Sequence, residues 1–538
     1  MATLVLGIDV GTTSTKVVLA DPAAGVVAQA SEPAALSSPH PGWAEADPAQ
    51  WWANLAALVP AVLAAASASS GNTGTGKPVT AADIAAVATT GMVPAVIPAD
   101  EAGRPLRSAI LQNDARATAE IRELAAALPG LDFVARTGSA LTQQSVGPTL
   151  LWLARHEPGA WAAAATVQGS YDWLATRLGA APHVERNWAL ESGLFELEPD
   201  GALAPLHPVR DALARLAGIK PEVIPPVADP GTVIGEVSRS AAGETGLRPG
   251  TPIVAGGADH VLSAYAAGLA SPGDWLVKLG GAGDILVVSG YPLVDERLYL
   301  DAHPVTGLWL PNGCMATSGS LIRWFQSVSG TAANPVPVAE LEAEAIAARP
   351  AELICLPYFL GEKSPLHDPD LRGAFLGLHL GHTRGDLYRS ILEGIAYGFR
   401  HHAEIFAERR VALRPTARVS NGGSKSVVWK QILADALGVA LEPVLDHPGA
   451  ALGAALAAAV GTGAGGTGTG GTGAGGTGTP PPQAWAAAAS VPGMVTIGAP
   501  IEPDPAHAAR YAEAYQVYRD AGAALTPISH RLATRRTS

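Results

Sequence analysis

Near the start of the chain, Gly7-Ile8-Asp9-Val10-Gly11-Thr12-Thr13-Ser14-Thr15-Lys16 combines a carboxylate with a small, hydroxylated, glycine-containing turn. Apolar runs flank it, Leu4-Val5-Leu6 before and Val17-Val18-Leu19-Ala20 after, so the pattern predicts a hairpin. Such a turn turns backbone N–H groups and hydroxyls toward an anion and lets a polyphosphate approach the main chain. Asp9, at the end of the first strand, is placed to hold a magnesium ion, a hard cation that favours carboxylate and water ligands and bridges phosphates. In the middle of the chain the apolar Pro252-Ile253-Val254-Ala255 runs into Gly256-Gly257-Ala258-Asp259-His260, again a strand, two glycines and a carboxylate. One half-site in each half of the chain implies a nucleotide and a second substrate facing each other across a cleft.

The chemistry served by such a pair is phosphoryl transfer, which is mostly positioning plus neutralisation of phosphate charge. It requires a phosphate cradle, a metal-holding carboxylate, a purine site and a base beside the acceptor hydroxyl. The turn around Thr12 and Thr13 is the candidate cradle, and Asp259 can meet a hydroxyl at hydrogen-bond distance, about 3 Å. A second glycine turn, Leu279-Gly280-Gly281-Ala282-Gly283-Asp284, lies between strand-like segments and can complete the phosphate site. Asn421-Gly422-Gly423-Ser424-Lys425-Ser426 stands between the strand-like Arg418-Val419-Ser420 and a helical segment, where its glycines let a flat purine or a phosphate lie against backbone. Taken singly, each glycine turn is equally an ordinary connection, and an aspartate in a turn is commonly a cap.

The elements that must position these residues alternate between strand and helix. Residues 51–66 read as an apolar helix, 84–90 as a buried strand, 115–127 as an amphipathic helix, and 386–408 and 426–437 as long helices. Strand-like segments at 275–279 and 285–288 belong to the second half. This is an α/β pattern. At 538 residues the chain exceeds one core, and two domains of roughly 250 residues each are the natural division. The register restarts at Asp229-Pro230-Gly231, and the boundary is placed between 1–255 and 256–538. Residues 67–77 and 461–479, the latter followed by three prolines to 482, are Gly-, Thr-, Ser- and Ala-rich. They cannot bury enough apolar surface to offset chain entropy and are expected to be mobile loops without function. A net charge of -13 argues against nucleic-acid binding, which needs a basic face. No apolar run is judged to reach the roughly 20 residues of a membrane span. The N-terminus enters a strand with no basic region or cleavage site. Two cysteines, Cys314 and Cys355, show no metal spacing and suit a reducing cytoplasm.

Beyond these turns, Gly42-Trp43-Ala44-Glu45-Ala46-Asp47-Pro48 with Trp51-Trp52, Leu356-Pro357-Tyr358, Gly361-Glu362-Lys363-Ser364-Pro365 and Gly373-Ala374-Phe375-Leu376-Gly377-Leu378 stand in order along the chain. With Gly7 to Thr13, Gly256 to Asp259 and Asn421 to Ser426, this set resembles the FGGY carbohydrate kinases, nearest to their xylulokinase-like members. The resemblance covers nearly the whole chain outside the two low-complexity segments. It implies two RNase H-like, actin-type ATPase domains around a central cleft, in which MgATP phosphorylates a small sugar or polyol. On that likeness Asp259 matches the general base and Asp9 the magnesium-associated carboxylate. Thr12 and Thr13 match the phosphate turn, and Gly422, Gly423 and Ser426 the nucleotide motif. Trp324 falls where some members place an aromatic near the adenosine.

Several positions depart from the family pattern. The sugar loop reads Thr90-Gly91-Met92-Val93-Pro94-Ala95, with Pro94 where a histidine is usual; proline offers no N–H. His260 stands for Asn or Gln after the base, Gln112-Asn113-Asp114 for Trp-Asn-Asp, Thr149 for a lysine, and Gly280-Gly281-Ala282 for Gly-Thr-Ser. A buried polar group left unpaired costs about 1–3 kcal/mol, enough to change which hydroxyl pattern is accepted. Met92, Val93, Gln112, Asn113 and His260 are therefore the candidates for reading the acceptor. A ketopentose such as D-xylulose is the expected substrate, with D-ribulose or a polyol second and a non-metabolic ATPase on the same fold as the rival class. The oligomeric state is left open, with a homodimer among the options.

Overall fold

The computed structural model describes residues 4–72, 78–464, 479–489 and 494–534. Its first half is built on a six-stranded sheet. β1 (Leu4–Val10), β2 (Ser14–Asp21) and β3 (Gly25–Pro33) form an antiparallel meander. β4 (Ile84–Gly91) and then β6 (Pro252–Ala258) add in parallel beyond β1, and β5 (Val233–Glu236) closes the edge antiparallel to β6. The order is β5-β6-β4-β1-β2-β3. The central strands are buried on both faces, which explains the unbroken apolar reading of Leu4 to Ile8.

The second half repeats the plan. β7 (Trp275–Leu279), β8 (Gly283–Val287) and β10 (Trp309–Met315) form the meander, with β9 (Tyr299–Ala302) at its edge. β11 (Thr416–Ser420) and β12 (Ala440–Leu445) add in parallel on the other side of β7, and β13 (Thr496–Ile497) pairs antiparallel with β12. Both sheets thus run an antiparallel meander, of three strands in the first half and four in the second, then two strands added in parallel and one antiparallel at the edge.

Helices cover the faces and tie the halves together. α1 (Pro48–Asn72) seats Trp51, Leu55, Leu58, Val59 and Val62 against β2 and β3. α2 (Arg186–Glu191) is a short helix packed on β9. α3 (Asp259–Ala266) follows β6, and α7 (Ala450–Thr462), from the second half, lies across the first sheet against α3 and β1. Between them in sequence come α4 (Gly319–Ser329), α5 (Arg384–Glu408) and α6 (Val427–Leu437). The close approach of α7 requires glycine: a Cβ on Gly7 would come 1.9 Å from the Ala451 carbonyl oxygen, and one on Gly453 would come 2.2 Å from that of Leu262.

Three expectations need correction. The 22-residue segment Pro48–Ser69 of α1, mean hydropathy 1.5, is long and apolar enough by length and composition to cross a membrane. Its apolar stripe instead faces the first sheet. The serine-rich stretch expected to be a loop from residue 67 continues α1 to Asn72, and Ser67 Oγ donates to the Leu63 carbonyl at 2.9 Å. Residues 73–77 lie outside the described residues. Likewise α7 extends to Thr462 and a helix starts again at Pro482, so only 465–478 of the second expected loop lie outside the described residues.

Candidate functional site

The site forms where strand ends converge. Asp9 on β1 pairs in register with Thr90 on β4, and Thr90 pairs on its other side with Gly257 on β6. Asp9 and Gly257 therefore flank one strand, about 10 Å apart at a 4.8 Å strand spacing. Thr90 Oγ1 donates to the Gly257 carbonyl at 2.6 Å, fixing the level of the three strands. Two residues further on, Asp259 opens α3, where the helix dipole favours a carboxylate.

These two carboxylates sit in different fields. Burial, reinforced by the charge of Asp259, pushes Asp9 up to about 7, with Lys16 and Lys278 offsetting part of the rise. Asp9 Oδ1 is buried without a hydrogen-bond partner. An ionised carboxylate oxygen left in that state is costly, and a hard divalent cation satisfies it, so the residues present fit magnesium. At Asp259 burial also acts upward, but hydrogen bonding to His260, its charge and that of Lys278 outweigh it, and the carboxyl lies below the ordinary range. His260 Nδ1 stands 3.5 Å from Asp259 Oδ1, and its Nε2 is 2.7 Å from Asp301 Oδ2. Burial would lower the imidazole, yet the Asp301 and Asp259 carboxylates carry it well above its usual value. Glu191, at the end of α2, is held well above the carboxylate range by burial and by Asp301.

Asp259 and His260 face a cavity of about 290 Å³ walled by both halves. The first half supplies Val93, Gln112, Thr142, Gln144, Ser145 and Glu191; the second supplies Lys278, Asp284, Asp301, Asn312 and Lys363. Gln112 Oε1 is buried with no hydrogen-bond partner, an acceptor facing a space for a small polar molecule. Of the residues expected to read the acceptor, Val93, Gln112 and His260 line this cavity. Met92 is buried with its carbonyl accepting from Ser170 Oγ at 3.0 Å, and its side chain is not in the cavity wall. Asn113 is exposed at a turn closed by the Asp114 N–H donating to the Leu111 carbonyl at 3.0 Å, while Asp114 itself points inward to accept the Ala44 N–H at 2.6 Å and pairs with Arg116.

The phosphate and nucleotide candidates lie on the turns that leave β1, β7 and β11 and on α4. Thr12, half-buried, and Thr13, exposed, form the tip of the β1–β2 turn, closed by the Gly11 N–H donating to the Ser14 carbonyl at 3.0 Å. Gly280 and Gly281 join β7 to β8, and their carbonyls accept the N–H groups of Gly319 (2.8 Å) and Ser318 (2.9 Å) at the start of α4. That helix presents Trp324, 41% exposed, against Phe359 at a ring separation of 4.7 Å. A second cavity of about 860 Å³ is lined by Lys16 of β2 together with Asn421, Ser424, Lys425 and His447. Gly422 is open to solvent, whereas Gly423 is packed: a Cβ there would meet Trp429 at 2.4 Å. The Ser426 hydroxyl is committed to capping α6, accepting the Trp429 N–H at 3.1 Å.

Glu191, Asp301, Asn312, Lys278 and Lys363 were missed by sequence reasoning. Asp301 and Lys278 left a signal, each a charge inside an otherwise apolar buried strand, Leu300-Asp301-Ala302 and Trp275-Leu276-Val277-Lys278-Leu279. The others become neighbours through folding alone.

The family model for the N-terminal domain of the FGGY carbohydrate kinases matches residues 4–266, and that for the C-terminal domain matches residues 291–462. A crystal structure of xylulose kinase from Rhodospirillum rubrum is 41% identical, with TM-score 0.82, covering 98% of this chain and 100% of that one. The xylulose kinase of Escherichia coli K12 is 27% identical over 84% of this chain and 88% of its own length. The L-xylulose/3-keto-L-gulonate kinase of the same organism is 29% identical over 85% and 88%. With both halves matched in order on two sheets of one plan, the chain belongs to the FGGY family of carbohydrate kinases.

Proposed function

We propose that this kinase transfers the terminal phosphoryl group of ATP to a hydroxyl of a ketopentose, with xylulose as the acceptor. The observation that carries the reading is Asp259: ionised, at the positive end of α3, and facing a sugar-sized cavity that both halves enclose. The xylulose kinase of Rhodospirillum rubrum, alike over nearly its whole length, supports the acceptor.

Asp259 accepts the hydroxyl proton as the acceptor oxygen bonds to the γ-phosphorus. The bond from that phosphorus to the β,γ-bridging oxygen breaks, and ADP leaves with the electron pair. Asp9 would hold magnesium, whose charge neutralises the phosphate oxygens. The hydroxyls of Thr12 and Thr13 orient the polyphosphate, Lys16 and Lys278, whose charges reach Asp9, offset its charge, and Gly280 and Gly281 let it lie close to the main chain. Closure of the halves excludes water and so limits hydrolysis of ATP. Trp324 and the turn from Asn421 to Lys425 form the wall for the nucleoside. Both cysteines are free thiols, which suits the cytoplasmic location we propose.

D-ribulose or a polyol is the second reading, favoured by Pro94 in the sugar loop and by the buried Thr149 where the family pattern has a lysine. A panel of ketopentoses, polyols and keto-aldonates assayed by coupled ADP release separates them: one acceptor should stand well above the rest, and uniformly weak responses would refute a pentulose kinase. Asp259→Asn should lower turnover by about 10³-fold while ATP still binds. Near-normal turnover would remove Asp259 as the base.

A further inference from the structure

The imidazole after the base stands between two carboxylates. Its Nε2 meets Asp301 Oδ2 at 2.7 Å, and its Nδ1 faces Asp259 Oδ1 at 3.5 Å. Asp301 is itself fixed from two sides. Asn312 Nδ2 donates to the same Oδ2 at 2.7 Å and to the Leu310 carbonyl at 3.1 Å, so β10 holds the carboxylate that holds the histidine. From the first half, Asn187 locks onto the residue after Asp301: its Nδ2 donates to the Ala302 carbonyl at 3.0 Å and its Oδ1 accepts the Ala302 N–H at 2.7 Å. The same short helix, α2, brings Glu191 beside Asp301 and His260, their ligand atoms within 4.8 Å of one another. Asp301 Oδ1 and Glu191 Oε1 are both buried without hydrogen-bond partners.

We infer that His260 is a positioning residue for phosphoryl transfer: bridged between Asp301 and Asp259, it aims the base's carboxylate at the acceptor and keeps it ionised. This rests on the reading of Asp259 as the base. An imidazolium between two carboxylates is held by charge on both sides, whereas Asn or Gln at this position contributes a dipole alone. The groups facing His260 are Asp259 on its own helix, Asp301 on β9 and Glu191 on α2; Asp259 also faces Lys278 on β7 and Asp9 on β1. Replacing the histidine with a neutral side chain removes a positive neighbour from Asp259, so the base binds its proton more tightly and works only at higher pH. The directions of the shifts agree: His260 is raised and Asp259 lowered.

The test is the pH dependence of kcat/KM for the acceptor in His260→Asn, His260→Gln and Asp301→Asn, each against the unchanged chain in one buffer series. The acid limb should move up by about one pH unit in all three, equal to about tenfold in activity on that limb. The KM for ATP should stay within about twofold, and the double variant His260→Asn/Asp301→Asn should be no worse than the weaker single one, because both act through one bridge. An acid limb that stays in place in the His260 variants, with activity lowered equally at every pH, means a purely structural role and overturns the inference. If His260→Asn does not fold, Asp301→Asn decides by the same criterion. An active Asp259→Asn enzyme sinks the reading of the base; an inactive one beside an unmoved acid limb sinks only the role of His260.

Discussion

The two sheets share one strand plan and are packed in opposite ways. Over the first sheet, α7 brings Ala451, Ala454, Ala455 and Ala458 onto Val5, Ala86 and Ala88, a face of methyl groups and bare backbone. Over the second, Trp275, Tyr388, Tyr397, Phe399 and Trp429 fill the space between sheet and helices. The strand-end turns differ as well: the first carries a buried carboxylate and hydroxyls, the second two glycines whose carbonyls are tied to α4. The duplicated plan yields two sheet edges that can face one cleft, and small residues let a helix of the second half sit directly on the first sheet. Bulky aromatics give the second half its own thick core instead. The difference teaches that the crossing of α3 and α7 is held by close backbone approach, while the outer part of the second half stands on side-chain volume.

Asp9→Asn should break the contrast between the turns most strongly. It removes the carboxylate whose Oδ1 is buried without a partner, whereas Asp284 of the second turn stands 3.7 Å from Lys278 Nζ, and turnover should fall by roughly 10²–10³-fold, the size of losing a charge-stabilising group. The same variant tests the buried field. The folded state raises Asp9 from 3.8 to about 7 and so holds its proton more tightly than the unfolded chain does. Its contribution is intact below about pH 4 and is lost as pH climbs through 7. In magnesium-free buffer the melting temperature of Asp9→Asn should therefore exceed the parent's increasingly from pH 5 to pH 8. A gap that does not widen would refute the burial.

Gly7→Ala and Gly280→Ala compare the two sheets directly. The first pushes a Cβ to 1.9 Å from the Ala451 carbonyl oxygen and should cost about 3 kcal/mol in denaturant unfolding. The second places a Cβ 3.2 Å from the Ala282 carbonyl oxygen and 3.4 Å from Asn421 Nδ2, in the second half's turn. It should change stability by less than about 1 kcal/mol and appear instead as a higher KM for ATP. Equal losses of stability would erase the distinction between the packings.

The smallest effect concerns Glu185, buried between Tyr171, whose hydroxyl donates to it at 2.9 Å, and the Asn187 N–H at the same distance. Burial pushes it up to about 8 from 4.5, so its contribution fades as pH rises through that interval. Glu185→Gln keeps the acceptor oxygen and should flatten the melting profile between about pH 5 and 8. An unchanged slope would show that Glu185 stays ionised in the folded state.

Local pattern determined a good deal of this protein. The hairpin at β1 and β2, the long helices α5 and α6, and the carboxylates Asp9 and Asp259 at strand ends all follow from apolar runs broken by glycine, because strand and turn chemistry is written in neighbouring residues. Low complexity misled at residue 67, where α1 simply continues: the Ser67 hydroxyl donates back to the Leu63 carbonyl and accepts the Val79 N–H, each at 2.9 Å, so it is satisfied within the helix and by the segment that follows. What only the folded chain decided is which distant residues meet. Glu191, Asp301 and His260 come from three separate segments, and Asn113 and Gln112, adjacent in sequence, end on opposite sides of the wall. Such meetings depend on strand register and on one helix crossing another sheet, relations between elements that no local spacing encodes.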